Sequence, residues 1–171
     1  MHNGRAKKSK HCSNRNQTPK WRQTTEVTPA PTCELAGSLR ILVVEDEFVS
    51  ARTAVGLFSA YGQCELCTNG PDALKAFENA AGTARPFDLV VLDIRMEGMS
   101  GLETLEALRA WESRRGVLLG QGVQVIMTTI CHDARTVLGA FNSGCETYLI
   151  KPIGAETVAG AMRLLGLLAT V

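Results

Sequence analysis

The stretch Phe87-Asp88-Leu89-Val90-Val91-Leu92-Asp93 limits what this chain can become more than any other. A short apolar run without polar alternation reads as a strand covered on both faces, because a half-exposed strand would alternate. The run then ends abruptly in a carboxylate. In an open α/β sheet the carboxyl ends of the strands form the crevice where ligands bind. Asp93 is therefore the candidate reacting group.

The pattern recurs. Ile41-Leu42-Val43-Val44 ends in Glu45-Asp46-Glu47, Val123-Gln124-Val125-Ile126-Met127 ends in Thr128-Thr129, and Thr147-Tyr148-Leu149-Ile150 ends in Lys151-Pro152. Four parallel strands would bring two or three acids, a hydroxyl and an ammonium to one edge. Crowded carboxylates repel one another, the more so as water is removed. A divalent cation relieves that repulsion. Magnesium takes hard oxygens and keeps several waters, so one or two carboxylates plus a phosphate oxygen suffice.

The intervening segments carry helical spacing. Phe48, Ala51, Val55 and Phe58 predict a helix from Phe48 to Tyr61, stopped by Gly62. Cys64–Cys67 reads as the second strand, and Thr68 to Pro71 as a turn with Pro71 near the first position of the next helix. Ser100 is placed to cap a helix over Leu102–Arg114. Further helices are expected from about Asp133 to Asn142 and from Ala155 to Leu168. Five alternations of strand and helix make an α/β fold, a doubly wound five-stranded parallel sheet with helices on both faces.

Composition narrows the class. Hydrophobic residues make up 45% of the chain, enough for a core, yet no apolar run approaches the roughly 18 residues of a membrane span. The start, Met1 to Lys8, has no apolar signal core. The expectation is a cytoplasmic protein without membrane insertion. Residues 1–37 carry seven Lys/Arg against two Glu and few aliphatic side chains. They read as a disordered basic tail ahead of a folded domain at residues 38–171, with at most a weak nucleic-acid role. Cys64 and Cys67 have redox or zinc spacing, but residues three apart on a strand point to opposite faces, so ordinary strand cysteines are expected.

Glu45-Asp46, Asp93-Ile94-Arg95-Met96-Glu97-Gly98-Met99-Ser100-Gly101, Thr129 and Tyr148-Leu149-Ile150-Lys151-Pro152, in this order, resemble the CheY-like receiver domain of two-component response regulators. The resemblance covers roughly Leu39 to Leu168. It implies the flavodoxin-like strand order 2-1-3-4-5, which the alternation alone does not supply. It also implies that Mg2+ is ligated by Asp46, Asp93 and the backbone carbonyl of Arg95, with Glu45 acting through a water. Asp93 would be the phosphoacceptor, served by a sensor histidine kinase or a phosphotransfer protein, with Lys151 and Thr129 contacting the phosphoryl group. The family's Lys-Pro bond is typically cis, which the resemblance carries to Lys151-Pro152.

Thr129 and Tyr148 would form the switch pair. The surface of the fourth helix, fifth strand and fifth helix, roughly Cys131 to Leu168, would be remodelled for a downstream protein target. With nothing expected after the fifth helix, the reading is a stand-alone response regulator: a phospho-accepting switch rather than an enzyme. Two positions depart from the family pattern. Glu97 stands where proline is usual, which is expected to loosen the loop, and Ile130 stands where a small residue is usual, which is expected to restrict access to the site.

Other classes share parts of this pattern. A haloacid-dehalogenase-type phosphatase would want a second Asp two residues after the nucleophile, where Arg95 stands. A flavin-binding module would want a hydroxyl- and glycine-rich loop where Glu45-Asp46-Glu47-Phe48 stands. A pseudo-receiver that binds partners without phosphorylation would have no need of the full set of acids, Thr129 and Lys151.

Overall fold

The computed structural model describes residue 1 and residues 39–118, 120–130 and 139–168. The expectations for the basic tail and for the start of the fourth helix lie outside the described residues. The elements are β1 (Leu39–Val44), α1 (Phe48–Phe58), β2 (Gly62–Cys67), α2 (Gly70–Ala81), β3 (Leu89–Asp93), α3 (Gly101–Arg114), β4 (Gln124–Thr129), a short helical segment α4 (residues 139–142), β5 (Thr147–Ile150) and α5 (Ala155–Leu164). The five strands form one parallel sheet in the order β2-β1-β3-β4-β5. This is the expected flavodoxin-like fold.

Side chains alternate across a strand, and here each alternation feeds one of two cores. Ile41 and Val43 of β1, Leu89 and Val91 of β3 and Ile126 of β4 pack with Ala54 and Phe58 of α1 and Val158, Ala161 and Met162 of α5. Their neighbours Leu42, Val44, Val90, Leu92, Val125 and Met127 pack on the other face with Ala73 and Phe77 of α2 and Leu105, Leu108 and Trp111 of α3. Ile41, Leu42, Val43 and Val44 are each 1% exposed or less. Burial of such side chains contributes about 1.5–3 kcal/mol each. Sliding β1 by one residue would exchange every side chain between the cores and draw Glu45 into the sheet. The strand ends are thus fixed by packing, and the site inherits that registration.

The cysteine expectation holds. Cys64 packs on the α1/α5 side and Cys67 on the α2/α3 side.

Helix boundaries follow local chemistry. Glu47 caps α1 by accepting from the amides of Val49 and Ser50. Asn69 caps α2 with Pro71 in its first turn, and Ser100 and Glu103 form a reciprocal capping box on α3. Two boundaries differ from expectation. α1 ends at Phe58, and Gly62 is the first residue of β2 rather than a helix stop. A Cβ at Gly62 would overlap the Leu39 carbonyl, so glycine is there for close approach of β2 to β1. α5 ends at Leu164 rather than Leu168. Gly166 takes φ +68°, Leu167 N donates to Met162 O at 2.9 Å and Gly166 N to Arg163 O at 3.0 Å, the paired bonds of a Schellman ending.

An ion network that the sequence pattern did not announce closes the opposite end of the sheet. Arg109 Nη1 meets Glu112 Oε2 at 2.7 Å and Arg109 Nη2 meets Glu146 Oε1 at 3.1 Å, while Glu112 and Glu146 accept from the amides of Val123 and Val125. Arg109 and Glu112 stand three apart on α3, but Glu146 comes from beyond α4 and has no local signal.

Gly101 decides how α3 meets the strand that carries Asp93. Its N–H donates to Ile94 O at 3.0 Å, and a Cβ there would overlap the Asp93 carbonyl oxygen. The obstacle is backbone and cannot rotate away. Gly101→Ala is expected to destabilise the fold by about 2–3 kcal/mol, the upper range for overpacking, as read from the midpoint of urea unfolding. An unchanged midpoint would show that α3 shifts freely.

Candidate functional site

The carboxyl ends of β1, β3, β4 and β5 converge as the sequence pattern requires. Val44 is paired with Leu92, Asp93 with Thr128, and Thr129 with Ile150. The residues that follow or close these strands, Glu45, Asp93, Thr129 and Lys151, therefore share one rim of the sheet.

Lys151 ties three strand ends together. Its Nζ lies 2.6 Å from Glu45 Oε2 and 3.0 Å from Asp93 Oδ2, and its own amide donates to Thr129 O at 2.7 Å. Glu45 and Asp93 are only 3% and 6% exposed. Two carboxylates so far from water need a cation, since an unpaired buried charge costs several kcal/mol. The Lys151-Pro152 peptide is cis, as the resemblance implied. Burial raises the Glu45 carboxyl above its ordinary range, and the hydrogen bond from Lys151 acts against that shift. Glu47, by contrast, is held below its ordinary range by the amides of Val49 and Ser50. It serves as a helix cap, and the acidic cluster is Glu45, Asp46 and Asp93.

Asp46 is exposed, and its Oδ2 accepts from the Glu97 amide at 2.8 Å. The expectation that Glu97 loosens the loop needs correcting at this point, because its backbone ties the β3–α3 loop to Asp46. One oxygen from each of Glu45, Asp46 and Asp93 can be chosen so that all lie within 4.8 Å of one another. Glu45 Oε1 is buried without a hydrogen-bond partner. Three carboxylates offering hard oxygen donors, with one Glu45 oxygen orphaned, are a set that fits magnesium. Arg95 follows two residues after Asp93 with its side chain exposed.

The sequence-predicted switch residues fall on the other face. Thr129 is fully buried. Tyr148 is opposite Met127 in the β4–β5 register, packs against the α2/α3 core and meets Phe141 of α4 edge-on at 5.8 Å between ring centroids. Since Thr129 is opposite Ile150, Thr129 and Tyr148 are diagonal neighbours on one face. Ile130 is 55% exposed just beyond them. Among the described residues, no helix is long and apolar enough to cross a membrane.

Comparison with known proteins agrees with this geometry. A family model described as the response regulator receiver domain matches residues 41–163. The sensor histidine kinase GacS of Pseudomonas protegens is 33% identical over 121 residues, which are 70% of this chain and 12% of GacS. The nitrate/nitrite response regulator protein NarP of Escherichia coli is 29% identical over 128 residues, 75% of this chain and 55% of NarP. Across these two relatives the chain spans from about one-eighth to about half of the relative's length. Among solved structures, the chemotaxis protein CheY4 of Vibrio cholerae superposes with TM-score 0.64 at 20% identity, covering 75% of this chain and 99% of that one. The receiver domain of the histidine kinase CKI1 from Arabidopsis thaliana, complexed with Mg2+ and BeF3−, gives TM-score 0.65 at 25% identity, covering 77% and 91%.

Asp46→Asn keeps an oxygen acceptor for the Glu97 amide and removes one of the three clustered charges. It is expected to stabilise the metal-free chain by about 1 kcal/mol, the Coulomb energy of two such charges at 4 Å in water. Wild type should gain about 2.7 kcal/mol from Mg2+ at a hundredfold excess over its Kd, and the variant little. Urea unfolding with and without Mg2+ measures both. Equal gains would remove Asp46 from the cation site.

Proposed function

This chain belongs to the receiver-domain family of two-component response regulators, and on that premise we propose that Asp93 accepts a phosphoryl group from a histidine kinase or phosphotransfer protein. The carrying observation is the ammonium of Lys151 between Glu45 and Asp93 in a cluster of three carboxylates. An oxygen of Asp93 forms the new bond to phosphorus as the bond to the donor's imidazole nitrogen breaks, and that nitrogen keeps the electron pair. Such transfer depends on alignment and charge neutralisation more than on covalent chemistry from the protein.

Asp46, Asp93 and the Arg95 carbonyl would hold Mg2+ directly, with Glu45 behind them; the ion supplies two positive charges against the phosphoryl oxygens. The CKI1 receiver, solved with Mg2+ and BeF3−, supports this reading of the cluster. Lys151 contributes a third positive charge from the α1/α5 side of the rim. Thr129 donates its hydroxyl from the other side.

The new group adds about −1.5 to −2 charges at one point. Thr129 moves toward it, and Tyr148 follows into the space beside it. α4, β5 and α5 then present an altered surface to a protein target, a two-state response of the kind such modifications drive. The matches to GacS and NarP leave the kinase and the output open to experiment.

The test is intact mass after incubation with Mg2+ and a small acyl phosphate. Wild type should gain one acid-stable, base-labile phosphate, and Asp93→Asn none. If wild type gains none, beryllofluoride with Mg2+ should still shift the Tyr148 amide. A silent Tyr148 would overturn the mechanism in favour of a phosphorylation-independent module. Ile130 is exposed and directly follows Thr129. Ile130→Ala is expected to speed loss of the phosphoryl group severalfold in a timed mass assay, and an unchanged rate would show that this side chain does not screen the site.

A further inference from the structure

Resting on the proposed cation site, we infer that the backbone N–H of Glu97 is a positioning group for Asp46. The bond from Glu97 N to Asp46 Oδ2 is 2.8 Å long and joins residues 51 apart in sequence. It links the loop after β3 to the loop after β1, the two segments that flank the acidic cluster. Asp46 is exposed, so its carboxylate would otherwise sample several rotamers. An amide held on one oxygen selects a rotamer and leaves the other oxygen for a cation. A bond of this kind, neutral donor to ionised acceptor, is among the shorter and stronger ones.

The donor is itself held in place. On one side Gly101 N donates to Ile94 O, at the end of the strand that carries Asp93. On the other, Ser100 and Glu103 lock the start of α3 through their capping box. Gly98 turns the chain between them at φ +77°. The loop therefore presents the Glu97 amide from a fixed frame. The group that matters is the main chain: the proline usual at this position in the family has no N–H to donate, so this bond is particular to a chain with another residue here. The side-chain charge of Glu97 is separable from this role.

Outer partners of ligating carboxylates typically account for 10- to 100-fold in metal affinity. Glu97→Pro should bind Mg2+ about tenfold more weakly than wild type in calorimetric titration of the full chain. Glu97→Ala, which keeps the N–H and loses the charge, should stay within about threefold. Equal affinity of Glu97→Pro and wild type, or an equal loss in Glu97→Ala, would overturn the inference while leaving the receiver reading intact. Failure of wild type itself to bind Mg2+ would overturn both. A second measurement stands even if Glu97→Pro does not fold. In wild type the Glu97 amide should exchange with solvent at least tenfold more slowly than a free loop amide, and Asp46→Ala should abolish that protection. A Glu97 amide exchanging at the free rate would overturn the inference.

Discussion

The ammonium of Lys151 is the interaction on which the rest of the rim depends. It stands between Glu45 and Asp93, two carboxylates almost wholly withdrawn from water. Its reach is set by β5, whose register against β4 is fixed by core packing, and by the bond from its own amide to Thr129 O. One side chain thus satisfies electrostatics at the ends of β1 and β3 while its backbone is fastened to β4. Replacing the whole triad, Lys151 included, with apolar residues of similar volume would be neutral or stabilising for folding, because a buried ion pair seldom outcompetes good apolar packing. The charges are intelligible as equipment for chemistry.

Much of this was legible before any coordinates. The apolar runs are strands buried on both faces, and such strands announce themselves by lacking alternation. Their terminal residues had to meet because parallel strands put all carboxyl ends at one edge. What the pattern could not supply was contact made by the main chain. Glu97 looked like a loosened loop because it stands where the family usually has proline. Its amide, which any non-proline residue carries, turned out to be bonded to Asp46.

The other departures have the same origin. Gly62 and Gly101 sit where another segment's backbone passes too closely for a Cβ, and a sequence records the glycine without recording the neighbour. Glu47 appeared as a third acid beside Glu45 and Asp46. It is spent on the amides of Val49 and Ser50, a use that its place just before Phe48 could have signalled. The Arg109, Glu112 and Glu146 network joins a helix to a turn 37 residues away from Arg109, and only folding brings it together.

The sheet separates two cores that share no side chain across most of its area, with α1 and α5 behind one and α2 and α3 behind the other. At the rim the last two residues of β4 fall one to each side. Thr128 and Thr129 are consecutive residues of one strand whose side chains leave on opposite faces. Their Cα atoms are about 3.8 Å apart. A group attached to Asp93, paired with Thr128 in the register, therefore sits at a seam where both halves of the molecule are within one residue's reach.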